Sequence, residues 1–178
     1  MHFLKFVTLF TSAAAATGFT VPEDQEDGVY AVVYDNNGEA VFNLLRGPAT
    51  EKELAEIKSR SPAQSLNERD IDQYNCPGYS LDSGNTDAAV AALKGQCNPG
   101  AVGSGYDFYS ISGSTVAYFC NFGSSATNCL ANELGDQYAR ITDHCGRYNA
   151  GWWTRQDPGR WISIGYEGSG SRFCGRGA

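Results

Sequence analysis

The alternation of apolar and polar positions marks several strand-like stretches along this chain. Residues 28–46 alternate on either side of Asn37-Gly38, a dipeptide typical of tight hairpins. Residues 106–122 alternate in the same way around Ser112-Gly113-Ser114. The stretches "GRWISIGY" and "SRFCG" predict a closing strand pair near the end of the chain. Strands joined by such short turns predict an antiparallel sheet.

Helical spacing of apolar residues appears in two stretches of the C-terminal part. The first is "DAAVAALKGQC", with Asn85 or Thr86 as its N-cap, and the second spans about 128–145 and ends before Gly146. Two helices that bury their apolar stripes on a sheet predict an α+β fold, a two-layer α/β sandwich. The stripes consist of Val90, Leu93 and Cys97 in the first helix and of Leu134, Tyr138, Ile141 and Cys145 in the second.

Residues 1–18 have the layout of a secretory signal peptide. Lys5 supplies a positive charge, residues 6–10 form a short apolar run, and residues 13–16 are the small residues that signal peptidase accepts. This run is too short to span a bilayer and no second one follows, so we expect no integral membrane anchor. The sequence predicts a secreted, extracellular product.

Residues 19–69 differ in kind from the rest, since they hold one hairpin, one short helix and no cysteine. Thr50 and Glu53 have the spacing of a capping box at the start of that helix. We interpret 19–69 as a pro-like segment, removed after Arg60 or Arg69, and 70–178 as the disulfide-stabilised domain. The alternative is a retained N-terminal strand pair that joins the main sheet.

Six cysteines lie in the part of the chain that carries both long helices. An even number in an exported chain predicts three disulfides, and the sequence favours a local Cys120–Cys129 bridge with the other four dividing between themselves. Their spacing matches no zinc site, so we expect neither a metal nor a cofactor. The cysteines are Cys76, Cys97, Cys120, Cys129, Cys145 and Cys174.

Charge narrows the range of partners. The formal net charge is −7, and the chain has no basic stripe of the kind that neutralises a phosphate backbone. Nucleic acid is therefore not an expected partner, and we expect a monomer.

Candidate catalytic residues are few, because His144 is the sole histidine after the predicted leader. A small secreted ribonuclease using His144 with Glu167 is the catalytic alternative. The helix end at Cys145 offers a structural explanation, since an imidazolium is favoured at a helix C-terminus. No serine motif or pair of carboxylates stands out, so we assign no catalytic residue.

Aromatic and arginine side chains cluster in the stretch 147–161, and they form the predicted contact surface. Trp, Tyr and Arg dominate binding interfaces, and flat rings beside hydrogen-bonding groups also suit stacking on sugars. Neighbours in an extended chain face opposite sides, so a buried Trp implies an outward neighbour. The alternative is that a tryptophan fills the core. The candidate binding residues are Trp152, Trp153, Arg155, Arg160 and Trp161.

Several segments together resemble the small secreted cysteine-rich proteins of filamentous fungi. They are "DGVYAVVYDNNGE", "CPGY", "VAYFC", "DHCGRY" and the final "FCG". Many such proteins are candidate effectors, and some have the α/β sandwich of killer toxins. The resemblance implies a secreted effector or toxin-like protein that binds a host or competitor protein, or a cell-wall polysaccharide, without catalysis. A killer-type toxin that perturbs membranes is a third hypothesis, which the negative charge disfavours.

Overall fold

The computed structural model describes residues 18–58, 72–98, 100–102 and 106–175. In chain order the elements are β1 (Gly28–Tyr34), β2 (Ala40–Arg46), α1 (Glu51–Lys58), β3 (Asp72–Asn75), α2 (Ser83–Gln96), β4 (Gly100–Val102), β5 (Asp107–Ser112), β6 (Thr115–Asn121), β7 (Thr127–Cys129), α3 (Ala131–Cys145), β8 (Gly151–Asp157) and β9 (Arg160–Gly168).

The main sheet has seven strands in the order β2-β1-β5-β6-β9-β8-β3, and every neighbouring pair is antiparallel. The turn predicted at Asn37-Gly38 joins β1 to β2, with Gly38 at a φ of 81° that favours glycine. Strands β4 and β7 pair separately. The α+β class and the antiparallel sheet are therefore confirmed.

The end of the chain differs from the expected strand pair. Strand β9 pairs with β8 along its length, whereas "SRFCG" forms one bridge, between Phe173 and Phe19. The prediction failed because a pairing partner is chosen by packing across the sheet, which local alternation does not reveal.

Helices α2 and α3 cover one face of the sheet, called here the helix face. Asp82 is the N-cap of α2 and accepts a hydrogen bond from the backbone N–H of Asn85 at 2.8 Å. The expected cap at Asn85 or Thr86 is wrong, because Ser83 already starts the helix. The core on this face includes Val29, Ala89, Leu93, Phe108, Phe119, Leu134, Ile141, Trp153, Ile162 and Ile164.

The opposite face, called here the outer face, carries its own apolar layer. Segments from both ends of the described chain lie over β1, β5 and β6, where Phe19 contacts Phe173 at 4.7 Å between ring centroids. Because of this layer, and because α1 adds a third helix beside α2, the expected two-layer sandwich with two helices is only part of the architecture. The outer cluster includes Phe19, Val21, Tyr30, Val32, Tyr109, Tyr118, Cys120, Phe122, Phe173 and Cys174.

The N-terminal hairpin belongs to the main sheet, because β1 lies between β2 and β5. The predicted capping box is present: Thr50 Oγ1 accepts from the N–H of Glu53, whose carboxylate accepts from the N–H of Thr50 at 2.8 Å. The predicted cleavage points at Arg60 and Arg69 lie outside the described residues, as does nearly all of the predicted signal peptide. Removal of this segment stays a prediction.

Three disulfides use all six cysteines, as predicted from their number. The expected Cys120–Cys129 bridge is wrong, because Cys120 lies in the cluster on the outer face and Cys129 in the core of the helix face. The bridges are Cys76–Cys145, Cys97–Cys129 and Cys120–Cys174.

Candidate functional site

The outer face is covered over β1, β5 and β6 but is partly open over β3, β8 and β9. Residues opposite each other in antiparallel strands project to the same face. Gln73, Thr154 and Ser163 therefore form one row across three strands, in line with outward-facing Cys120. We call this surface the β8–β9 platform. It consists of Gln73, Trp152, Thr154, Gln156, Trp161 and Ser163.

A groove of about 510 Å³ opens on the platform at the β3 side. Three of its described lining residues are uncharged and polar, and Asp157, the carboxylate among the described ones, accepts from Arg155 Nε at 2.6 Å. The floor is fixed by hydrogen bonds, since Thr154 Oγ1 donates to Ser163 Oγ, which donates to the carbonyl of Trp153 at 3.1 Å. The groove is lined by Gln73, Thr154, Gln156, Asp157 and Pro158.

Two tryptophans stand at diagonal corners of the platform, and both are half-buried. Trp152 lies opposite Gly165, and Trp161 lies opposite Gln156. The two tryptophans are on neighbouring strands and are offset by four residues along the strand direction. Their Cα atoms are therefore about 14 Å apart. Trp161 packs edge-on against Phe122 at 5.4 Å, which holds its indole in place.

Glycine at position 165 is needed to seat Trp152. A Cβ there would lie 2.5 Å from the Cβ of Trp152 and 2.5 Å from the hydroxyl of Tyr118. No side chain fits that space without displacing its neighbours, so the residue opposite Trp152 must be a glycine. No local pattern in the sequence marks this glycine.

The other three predicted contact residues are buried in the core or held in ion pairs within the protein. Trp153 is 1% exposed and lies in the core on the helix face, so it cannot contact a partner while the protein is folded. Arg160 binds Glu133 through both terminal guanidinium nitrogens, at 2.6 and 2.7 Å, and tethers β9 to α3. Arg155 is engaged by Asp157. Only Trp152 and Trp161 of the predicted five belong to the platform.

The residues of the catalytic alternative lie on opposite faces of the sheet. His144, at the end of α3, stacks on Tyr74 with ring centroids 4.0 Å apart, and Tyr74 packs against the core of the helix face. Glu167 lies on the outer face and accepts from the hydroxyl of Tyr118 at 3.0 Å. The fold therefore does not assemble a His144–Glu167 acid–base pair.

Glu167 is a buried carboxyl, with 7% of its surface exposed. Burial raises the pKa of Glu167 to about 6, whereas the hydrogen bond from Tyr118 acts in the opposite direction. Burial also raises the pKa of Tyr118 well above its ordinary value, so Tyr118 stays a donor at neutral pH. The arrangement holds a carboxyl against an apolar layer, with the hydroxyl of Tyr118 as its hydrogen-bond donor.

Within the described part of the chain, one group of side chains is close enough to suggest a metal site: Asp107, Cys120 and Cys174. Its two sulfurs form a disulfide, which leaves no thiolate to bind a cation. Asp107 accepts from the N–H of Asn121 at 2.8 Å. These residues are structural and do not form a metal centre.

Sequence reasoning found the tryptophans of the platform and missed its polar floor. Thr154 and Gln156 alternate with buried or paired residues in "WWTRQD", which is the strand signal that could have placed them on one face. Gln73 comes from a short strand far away in the sequence, and no local pattern links it to β8.

In the described ranges, no helix has the length and apolar character required to cross a bilayer.

Comparison with protein-family profiles, with curated proteins and with solved structures finds no match for this chain.

Proposed function

We propose that this protein is a secreted, disulfide-stabilised binding protein that holds a neutral cell-wall polysaccharide on the β8–β9 platform, without catalysis. The observation that carries the proposal is the pairing of two half-buried tryptophans across an uncharged polar floor. Its resemblance to small secreted fungal proteins supports an effector or toxin-like role at the surface of a host or competitor.

The chemistry of the platform favours sugars over other ligands. The apolar faces of pyranose rings stack on indoles, while their hydroxyls exchange hydrogen bonds with amide and hydroxyl groups such as those of Gln73, Thr154 and Gln156. An anionic polymer is disfavoured, because the chain carries a net charge of −7 and the described lining residues of the groove include no lysine or arginine. The distance between Trp152 and Trp161 suits an extended chain of several sugar units.

Rigidity of the platform supports binding at a low entropic cost. Its residues lie on strands whose backbones are paired on the sheet, and Cys76–Cys145 joins the end of β3 to α3 beneath it. A site that is already ordered before the ligand arrives loses little conformational freedom on binding. Three disulfides are also typical of proteins that work outside the cell.

The test uses residues 19–178 produced in oxidised form. Co-sedimentation with insoluble chitin, β-1,3-glucan and cellulose identifies the polysaccharide, and titration with its soluble oligomers measures affinity. Trp152→Ala and Trp161→Ala should each weaken binding about fivefold to a hundredfold, since stacking of a flat ligand on an aromatic ring contributes about 1–3 kcal/mol. Tyr106→Ala, which removes an exposed aromatic ring outside the platform, should bind like the parent protein.

Unchanged melting temperatures would show that the variants remain folded. Equal binding by all variants, or binding to a protein target and to no polysaccharide, would overturn the proposal. Turnover of RNA or of a glycan that is lost in His144→Ala would replace it with the catalytic alternative.

A further inference from the structure

Strand β2 forms one edge of the sheet and exposes more apolar surface than any other described strand. Within the described residues, it pairs only with β1, so its outer edge has no partner strand. Val41, Leu44 and Leu45 are 41%, 58% and 42% exposed. Large apolar side chains at an unpaired edge mark a surface that is stabilised by contact with another chain.

The hydrogen-bonding pattern of the hairpin shows which backbone groups of β2 point outward. The N–H of Asp35 donates to the carbonyl of Glu39, so Glu39 faces β1, and the alternation places Val41 and Asn43 in the same orientation. The backbone groups of Ala40, Phe42 and Leu44 must then point away from the sheet. Each of them offers one N–H and one C=O to a further strand.

From Ala40 to Leu44 this edge has none of the usual features that prevent pairing, and the register shift at Leu45 lies beyond that stretch. From Ala40 to Leu45 the sequence is "AVFNLL", without a charge or a proline. The edge strand on the other side, β3, is four residues long and polar, and it is followed directly by the Cys76–Cys145 bridge. The two edges therefore differ in kind, and only β2 is suited to accept a strand.

We propose that β2 pairs with β2 of a second copy of this chain, antiparallel and centred on Phe42, so that two sheets join into one. In this register Phe42 faces its own copy and Ala40 faces Leu44. All the outward-pointing groups then meet partners, which gives about six hydrogen bonds between the chains. This proposal replaces the monomer expected from the sequence, and it does not depend on the proposed function.

A second copy fits this edge because β2 is complementary to itself. Glu39, just before β2, and Arg46, at its end, lie on the helix face at opposite ends of the strand. Arg46 already holds Glu53 of its own chain through both terminal guanidinium nitrogens, at 2.7 and 2.8 Å, so the charge that decides the orientation is that of Glu39. Antiparallel pairing keeps the two Glu39 carboxylates at opposite ends of the joint, whereas parallel pairing would set them side by side. The same rotation brings Ala40, Phe42 and Leu44 of the two copies together on the outer face and extends the apolar surface across the joint.

Sedimentation equilibrium of oxidised residues 19–178 over a range of concentrations tests the association. We expect a mass that rises toward twice that of the chain as concentration increases. Leu44→Lys places a charge at the joint and should remain monomeric at every concentration. Leu130→Lys, which replaces an exposed leucine far from β2, is the matched control and should associate like the parent protein.

Cysteine cross-linking tests the register. The Cα atoms of a hydrogen-bonded antiparallel pair lie about 5.5 Å apart, within the range that a disulfide spans. Ala40→Cys combined with Leu44→Cys should therefore give a covalent dimer on a non-reducing gel, whereas Leu44→Cys alone should not. A parent protein that stays monomeric at hundreds of micromolar, or equal effects of Leu44→Lys and Leu130→Lys, would overturn the proposal. A cross-link in Leu44→Cys alone would overturn the register.

Discussion

The buried carboxyl of Glu167 should make stability fall as the pH rises through its pKa. Glu167 lies opposite Val116 on the outer face, 7% exposed, with the Tyr118 hydroxyl as its hydrogen-bond donor. Burial raises the pKa from an ordinary value of 4.5 to about 6, so the folded protein holds a proton that the unfolded chain releases. Substitution with Gln, which is neutral at every pH, removes this dependence.

The magnitude follows from the difference between the two pKa values. A rise from 4.5 to about 6 corresponds to about 2 kcal/mol of unfolding free energy, as an order of magnitude. This stability is fully present below pH 4.5, where the carboxyl is protonated in both states. It is lost as the pH rises through about 6, because ionisation is then easier in the unfolded chain.

Urea denaturation of the parent protein and of Glu167→Gln, from pH 4 to pH 8, measures the effect. The unfolding free energy of the variant minus that of the parent should rise by about 2 kcal/mol across this range. Taking the difference cancels the contribution of every other titrating group. Glu23→Gln, at an exposed position, controls for the loss of one negative charge. A difference for Glu167→Gln that stays constant with pH would refute the reasoning.

Three further variants test the packing that builds the platform. Trp153→Ala should lower the unfolding free energy by about 3–5 kcal/mol, because it empties a fully buried site, and a loss below about 1 kcal/mol in urea titration would contradict that placement. Removing the Cys76–Cys145 bridge by a double change to Ala should cost about 4 kcal/mol from the 69-residue separation, measured against a reduced and alkylated control. Gly165→Ala should cost about 1–3 kcal/mol through its clash with Trp152, and an unchanged melting temperature would show that the strand has room.

Local signals in the sequence predicted the elements that depend on a few neighbouring residues. Asn37-Gly38 gave the first hairpin, and the Thr50–Glu53 spacing gave the start of α1. The stripe of Leu134 and Ile141 gave the buried side of α3. Each of these depends on backbone geometry or helical spacing within one element, which the order of residues determines directly.

Long-range choices could not be predicted in the same way. Strand β9 pairs with β8 as well as with β6, and in β8 the neighbours Trp152 and Trp153 obscured the alternation because both of them are apolar. The outer layer needs Phe19 and Phe173 to meet from the two ends of the described chain. For the same reason, the pairing of Cys120 with Cys174 followed from the packing of the outer layer and not from proximity in sequence.

The candidate site was likewise predictable in part: its residue types could be read from the sequence, but their arrangement could not. Trp152 and Trp161 were found because their residue types are common in binding sites. Their separation from Trp153, and the addition of Gln73, required knowledge of which strands are neighbours and which face is covered. The sequence shows which residue types are present, whereas the pairing of the strands decides which of those residues lie together in the site.

All three disulfides join residues between Cys76 and Cys174, so the N-terminal hairpin is held to the sheet by noncovalent contacts alone. A unit of this kind can open while the rest of the molecule remains closed, and native-state hydrogen exchange reports such partial openings. At concentrations where the chain is monomeric, the amides of β2 and of the adjoining edge of β1 should exchange before those of β6 and β9. A reducing agent would speed exchange in the central strands and leave the opening of the hairpin itself unchanged.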